Sequence, residues 1–420
     1  MIKILQVRNI DSFVESRRQK TSEKDKKIVQ AILNDVRKKG DSAVKKYERK
    51  FNGRKTSQLR VSAKEIKEAR SKISRKEVTA LRDMSVRLLH RRKILAIAER
   101  VENRGSVYRY FVPIPSVGCY IPGGQARYPS SVVMSVVPAR KAGVKRIVVV
   151  SPPSRDGKID PLTIAAAKMC GATEIYKVGG AQAIGALAYG TKSIPKVDKI
   201  VGPGGKFVSI AKSLVSDQTA IDMVAGPTEL GIIADASSNP ELVALDLISQ
   251  AEHSKDTMCF VITQSKTTAK QIQKSIEKLI PGTERSSIIK ESISKNGFIA
   301  VCKNQNEVIE LANKIAPEHM ELMVKNARSF SKKITGAGLL LIGKNTPSAA
   351  SDYLLGTNHI LPTSGFGRTR GGLSVLDFNK LQTIVESKKS TLREISKSLK
   401  TLTDAEDLPN HYKAVKRRLD

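Results

Sequence analysis

The sequence predicts an α/β protein built on two parallel-sheet units, and three observations lead there. From about residue 107 a charged helical pattern gives way to short apolar runs punctuated by glycine and proline. Two successive series of strand-like and helix-like segments follow, and strands alternating with helices imply parallel sheets covered on both faces. The 420 residues also exceed what one hydrophobic core usually supports, so two or more domains are expected.

Taken in order, residues 1–100 hold 30 Lys and Arg against 12 Asp and Glu, mostly at helical spacing among apolar residues, as in 62–75 and 81–100. His90, within the second stretch, reads as a surface residue. The first alternating series has strands at 146–150, 174–178 and 198–201 and helices at 162–170, 181–189 and 207–215, with glycine turns at 179–180 and 202–205. The second has strands at 231–234, 258–263, 298–301 and 338–342 and helices at 240–252, 268–279 and 307–315. Asn239-Pro240 is a good cap and first-turn pair for its first helix. After about residue 375 the chain is again helical and charged, ending in a tail able to reach beyond its own domain.

A formal charge of +33 would by itself suggest nucleic acid. Its distribution is that of solvated helix faces, aromatics are 4% of residues and Trp is absent, so stacking platforms for unpaired bases are scarce. A dedicated nucleic-acid role is therefore not favoured. Cys119, Cys170, Cys259 and Cys302 form no CxxC pair and read as buried thiols in a reducing compartment. The first residues lack the apolar run of a signal peptide, and no stretch of roughly 18 apolar residues exists to span a bilayer. A soluble, cytoplasmic protein without membrane partners is expected.

Chemistry concentrates in four of the five histidines, each in a polar cluster. Histidine titrates near neutrality and is the commonest metal ligand, so a scarce residue set beside carboxylates suggests a site. Gln250 and His253, three apart at a helix end, share one face; Asp352 would add a carboxylate, and His359 or His411 a further imidazole. This mixed nitrogen and oxygen set suits Zn²⁺, while Mn²⁺ and Co²⁺ accept the same ligand types. Glu318-His319 follows Pro317, which should restart the chain and present acid and imidazole from a turn as a proton-handling pair. Gly202-Pro203-Gly204-Gly205-Lys206 lacks the spacing of a phosphate loop. Gly179-Gly180 at a strand end, with Gln182 opening a helix, offers amides for a pyrophosphate or simply a tight βα turn. A metal-dependent hydrolase using these ligands and a basic nucleic-acid-binding protein remain open at this level.

Read together, several blocks of this chain resemble the histidinol dehydrogenase family. They are Val117-Gly-Cys-Tyr-Ile-Pro-Gly-Gly124, Gly179-Gly-Ala-Gln-Ala-Ile184, Asp222-Met-Val-Ala-Gly-Pro-Thr-Glu229, Ser249-Gln-Ala-Glu-His253, Ala316-Pro-Glu-His-Met-Glu321 and the run from Ser351 to Thr363. The resemblance covers nearly the whole chain, including Gly372 to Phe378 and the acidic-to-histidine tail.

It implies two Rossmann-like parallel-sheet domains, one inserted in the other, with a helical N-terminal segment over 1–20 and an extended C-terminal tail. The first domain would comprise 21–119 and 228–373 and carry the metal and catalytic residues. The inserted domain, 120–227, would face the nucleotide, and 374–420 would be a helical tail swapped in a homodimer with shared active sites. The implied activity is oxidation of L-histidinol to L-histidine through histidinaldehyde in two NAD-dependent steps.

By the same resemblance one Zn²⁺ per subunit would be held by Gln250, His253, Asp352 and His411, the last from the partner subunit. Thr228, Gln250, His253, His319, Asp352, His359, Glu406 and His411 would contact substrate; His319 would be the base and Glu318 would activate water. Tyr120, Gln182 and Gly205 match NAD⁺-binding positions. Gly205 stands where the family commonly has Asn, Thr228 replaces the more usual Ser, and the basic N-terminal third is atypical.

Overall fold

The computed structural model describes residues 1–17, 22–53, 58–89, 107–123, 127–154 and 156–420, so His90 lies outside the described residues. The chain forms two compact units, Met1–Arg91 with Ile114–Phe378, and Arg92–Pro113 with Asn379–Asp420. Its strands are β1 (Lys3–Gln6), β2 (Val107–Pro113), β3 (Ser116–Tyr120), β4 (Arg146–Ser151), β5 (Glu174–Lys177), β6 (Lys199–Val201), β7 (Ala220–Ile221), β8 (Glu229–Ala234), β9 (Met258–Thr263), β10 (Phe298–Val301), β11 (His319–Met323), β12 (Leu339–Ile342) and β13 (Asn379–Val385).

The first unit contains two all-parallel sheets. One runs β1-β10-β9-β8-β11-β12 and the other β5-β4-β3-β6-β7. Both are helix-covered on each face, which is why their strands read as continuous apolar runs. In β9, Cys259 and Val261 point into the core beneath helices Pro240–Ala251 and Lys266–Leu279, while Phe260 and Ile262 point to the opposite core with Leu311 and Ala312 of helix Gln305–Ile315. Phe260 stacks on Phe298 at 5.0 Å between centroids. Gly231 makes this possible, because a Cβ there would lie 2.5 Å from the Phe260 ring.

The alternating segments appear close to their expected bounds. Three features differ from expectation. The N-terminal segment is not wholly helical: β1 adds an edge strand to the six-stranded sheet, pairing Lys3 with Phe298, before the short helix Ile10–Glu15. A four-residue edge strand has too little periodicity to show in the sequence. β3 pairs with β4 and β6, so the sheet boundary falls ahead of Ser116 instead of after Cys119. Finally, the basic helices cover the five-stranded sheet instead of the six-stranded one. Glu23–Lys39 and Asp41–Asn52 share a core with Val148 and Val150, and Ala63–Ser71 and Arg75–Leu89 share one with Ile147 and Val149. Amphipathic helices carry no mark of which sheet they will cover.

The second unit pairs β2 with β13 as an antiparallel ribbon, followed by helices Lys389–Ala405 and Pro409–Lys416. Tyr108, Tyr110, Leu381, Ile384 and Val385 of the ribbon are exposed. No helix of the described residues is long and apolar enough to cross a membrane. All four cysteines are buried free thiols.

One buried ion pair fixes the loop that leads towards the cleft described below. The side chains of Lys212 and Asp222 are 2% and 0% exposed and form an ion pair. Asp222 Oδ2 accepts the Gly202 N–H at 2.8 Å, and Lys212 Nζ donates to the Gly202 carbonyl at 3.0 Å. Gly202 has φ +113, and a Cβ there would collide with the Tyr120 carbonyl, so only glycine makes this turn. Removing one member leaves an uncompensated buried charge. Asp222→Ala should therefore lower unfolding free energy by about 3–5 kcal/mol in denaturant titration, and Lys212→Met added to it should restore part of the loss. Equal stability of Asp222→Ala and the parent would remove the pair from this role.

Candidate active site

A cleft of about 1280 Å³ opens between the two sheets of the first unit. One wall comes from the carboxyl ends of β3, β6 and β7, through Pro122, Gly202–Lys206 and Asp222–Gly226; the other comes from the amino ends of β8 and β11, through Thr228, Glu318 and His319. The first wall follows the usual rule that parallel sheets bind ligands beyond their carboxyl ends. The second is the opposite edge, and there the titratable groups gather.

Glu318 and His319 are not presented from a turn. Ala316, at φ 50, ends helix Gln305–Ile315 in left-handed backbone, and the chain enters central strand β11 with His319 as its first residue and both side chains buried. The run Met320-Glu-Leu-Met323 was the signal for this strand. Glu318 Oε2 accepts from the Thr228 hydroxyl at 2.5 Å and the Glu229 N–H at 3.0 Å, while the Glu318 N–H donates to Glu229 Oε2 at 3.3 Å. His319 Nδ1 faces the Glu229 carbonyl at 3.4 Å and Nε2 faces Asp352 Oδ1 at 3.2 Å. Both ring nitrogens meet acceptors, which only the doubly protonated ring satisfies. Burial works against that charge, but the hydrogen bond to Asp352 and the charges of Glu318 and Asp352 raise the His319 pKa to about 9.

The same contacts act in reverse on the acids. Asp352 is held below the usual carboxylate range: burial opposes this, and the hydrogen bond and charge of His319 outweigh it. Burial pushes Glu318 up, and Glu229, whose carboxyl accepts the Ser364 N–H at 3.0 Å, up to about 8. Glu229 lay inside a family-like block, yet nothing in its residue type marked it as part of this cluster.

Gln250 ends a helix and is buried; its Nε2 donates to the Thr228 hydroxyl at 2.8 Å, leaving Oε1 without a donor among the described residues. His253 lies just past the helix and is exposed in the cleft; burial of the ring nonetheless pulls its pKa down, although Asp352 opposes this. No described residue bonds its ring nitrogens. His359 is fixed as a neutral ring, with Nδ1 on the Asp352 carbonyl at 2.9 Å and Nε2 on the Ser131 hydroxyl at 3.2 Å, and burial lowers its pKa. Thr228, Gln250, His253, Glu318, His319, Asp352 and His359 thus line one cleft.

Among the described residues no three His, Cys, Asp or Glu side chains cluster as a metal site. What the cleft supplies is a neutral imidazole (His253), a carboxylate (Asp352) and a free carboxamide oxygen (Gln250), a donor set that fits Zn²⁺ once a further ligand joins. Glu406 and His411 belong to the second unit, where both are exposed: Glu406 follows helix Lys389–Ala405 and His411 lies in Pro409–Lys416.

On the opposite wall Gly205 opens helix Lys206–Val215 and borders the cleft; a Cβ there would meet nothing within 4 Å. Tyr120 and Gln182 do not reach the cleft. Tyr120 is buried, its hydroxyl accepts the Gly180 N–H at 3.1 Å, and burial pushes its pKa up to about 12. Gln182, also buried, donates to Glu48 Oε1 at 2.8 Å, and that oxygen accepts the Gly179 N–H at 2.9 Å. The two glycine amides that could cradle a pyrophosphate are therefore taken by protein acceptors, Gly179 by Glu48 of the helix Asp41–Asn52 and Gly180 by Tyr120.

Comparison with known proteins matches this architecture. The family model described as histidinol dehydrogenase matches residues 15–419. A histidinol dehydrogenase of Methanocaldococcus jannaschii is 43% identical over 93% of this chain and 92% of its own, and one of Bacillus cereus is 42% identical over 93% and 92%. The crystal structure of histidinol dehydrogenase from Elizabethkingia anophelis superposes with a TM-score of 0.92 at 34% identity, covering 100% of this chain and 98% of that one. A match that spans both sheets and the tail, and includes every block around the cleft, assigns the chain to the histidinol dehydrogenase family.

Proposed function

We propose that the chain is a cytoplasmic, zinc-containing enzyme that oxidises L-histidinol to L-histidine by way of histidinaldehyde, in two successive NAD-dependent steps of histidine biosynthesis. The observation that carries this reading is the pairing of a buried acid and a buried imidazole, Glu318 and His319, in one cleft with the free donors of Gln250, His253 and Asp352. Zn²⁺ would be held by these three and His411 of the tail, and bound there it would orient the substrate as a Lewis acid while NAD⁺ takes the hydride.

The chain's own residues then move the protons. With a cation on Asp352 withdrawing the charge that holds its second proton, His319 would keep its Nδ1 proton on the Glu229 carbonyl and offer Nε2 as the nitrogen that accepts the hydroxyl proton as hydride leaves the carbinol carbon. Glu318, raised by burial and positioned by Thr228 and the Glu229 amide, takes a proton from the water that adds to the aldehyde. The hydrate then loses its second hydride, with His319 again receiving the proton. Thr228, Gln250, His253, His319, Asp352, His359, Glu406 and His411 are assigned substrate contacts.

The dinucleotide is assigned to the wall at Gly202–Lys206, where Gly205 leaves space that a side chain would fill. Tyr120 and Gln182 are assigned to it through the loops they brace, since Tyr120 lies beneath Gly202 and bonds Gly180. The exposed apolar ribbon of β2 and β13 is too small to bury its own face and supports a homodimer in which the tail crosses to a second copy.

Supplied with histidinol and NAD⁺, the zinc-loaded protein should form about two NADH per histidine; no NADH from protein with zinc bound would refute the reading. His319→Ala should lower turnover by about 10²–10⁴-fold with zinc retained, and Glu318→Gln should slow aldehyde oxidation more than the alcohol step. Loss of zinc from His319→Ala, or equal slowing of both steps by Glu318→Gln, would reverse those assignments. In the metal-free protein His319 should titrate near the raised value of about 9 by NMR. Zn²⁺ should lower it, because a cation on Asp352 withdraws the charge that holds the proton. An unchanged value would separate His319 from the metal site.

A further inference from the structure

Behind the cleft, a second layer of polar groups repeats the spacing of the first. Asp246 lies one helical turn before Gln250 on Pro240–Ala251. Glu321 lies two residues beyond His319 on β11, hence on the same face of the strand. Ser348 begins the short helix Ser348–Ser351, which ends at Asp352. The three elements that carry the proposed zinc donors and the base are thus joined a second time, away from solvent.

Glu321 is 2% exposed, and its Oε1 accepts the Ser348 N–H at 2.6 Å. Its Oε2 and the fully buried Ser348 hydroxyl have no hydrogen-bond donor or acceptor partner among the described residues. The half-buried Asp246 carboxyl faces that of Glu321, where one proton between them would make a side-chain hydrogen bond. Two ionised carboxylates cannot make such a bond, because neither has a proton to donate and their charges repel in a poorly hydrated site. A proton between them satisfies the orphaned oxygen and removes one buried charge. Burial pushes both groups up in the same sense. The titratable groups that face the pair from neighbouring elements are His319 on β11 and the buried Cys259 on β9, and neither is a hydrogen-bond partner of Glu321.

We propose that Asp246 and Glu321 share a single proton and act as a positioning pair, locking the helix of Gln250 and His253, the strand of Glu318 and His319, and the turn of Asp352 in one arrangement. The pair touches neither substrate nor nucleotide. Its consequence for turnover rests on the function proposed above, whereas the shared proton does not.

Three variants of the full chain test this: Asp246→Asn, Glu321→Gln and Glu321→Ala. An amide in either position can donate the hydrogen bond permanently, so Glu321→Gln keeps the contact and the single negative charge while removing the titration. In infrared spectra of the metal-free protein near neutral pH, the protonated-carboxyl absorption of the parent should lose one component in both amide variants, while that of the buried Glu229 persists in all three. The sign of the pH effect follows. The folded pair holds its proton to higher pH than an unfolded acid, so its stability is intact below the ordinary carboxylate range and declines as pH rises above it. Relative to Glu321→Gln, the parent's unfolding constant should rise by up to about tenfold per pH unit over part of the range from about pH 5 to about pH 9. Parallel pH curves and an unaltered carboxyl band would overturn the shared proton.

With zinc, histidinol and NAD⁺, Glu321→Ala should lose about 100-fold in kcat, with a smaller change in KM, and Glu321→Gln should recover most of that loss. Parent-like kcat in Glu321→Ala would overturn the positioning role, and Asp246→Ala carries the same test if Glu321→Ala does not fold. The infrared and stability measurements need no metal, substrate or nucleotide, so a failure of the proposed oxidation and a failure of the shared proton give different results.

Discussion

The cleft depends on the register of β11 against β8. In this parallel ladder His319 stands opposite Leu230 and Glu321 opposite Ile232, at the point where the order of the six-stranded sheet reverses: β9 and β10 build outwards from β8 on one side, β11 and β12 on the other. That alignment puts Thr228-Glu229 beside Glu318-His319, so that each strand's first amide meets the other's carboxyl. A slip of one residue would turn the imidazole from Asp352 towards the opposite core and strand Glu318 without its two donors. The register is held from within, by Leu230 and Ile232 packed on one face and Met320 and Leu322 on the other.

Electrostatics at this edge is a balance between burial and neighbours. Burial alone would neutralise every group, raising acids and lowering imidazoles. It prevails in direction for Glu229, Glu318, His253 and His359. Only Asp352 and His319 move the other way, mainly through each other, with the Glu318 charge adding to the hold on the His319 proton. That pair links a residue suited to holding a cation with one suited to taking a proton, so occupation of one site changes the other.

The two walls are built on different principles. On the carboxyl-end wall the backbone does the work: Gly202 turns where only glycine can, clamped on its N–H and carbonyl by a buried ion pair, and the space at Gly205 stays open. On the amino-end wall side chains do it, in two layers, with Gln250, His319 and Asp352 in front of Asp246, Glu321 and Ser348. Proton chemistry needs side chains held to within fractions of an ångström, and a doubled set of contacts across three elements provides that stiffness.

Much of this was legible from the sequence alone. Alternating apolar runs and glycine turns marked β4, β5, β6, β8, β9, β10 and β12 and the helices between many of them, since period and turn chemistry are local properties; the scarce histidines beside acids marked Gln250, His253, Glu318, His319, Asp352 and His359 as candidates. What only the tertiary structure decided is everything that requires distant segments to meet. β1 is too short to show a period and exists because a sheet edge accepts it. The basic helices chose the five-stranded sheet through packing that amphipathicity does not specify. Tyr120 and Gln182, which the family resemblance matched to NAD⁺-binding positions, bond Gly180 and Glu48, the latter from a helix far away in sequence. Residue type shows what chemistry a side chain can perform, but hydrogen-bond partners and burial set its charge, and those belong to the folded chain.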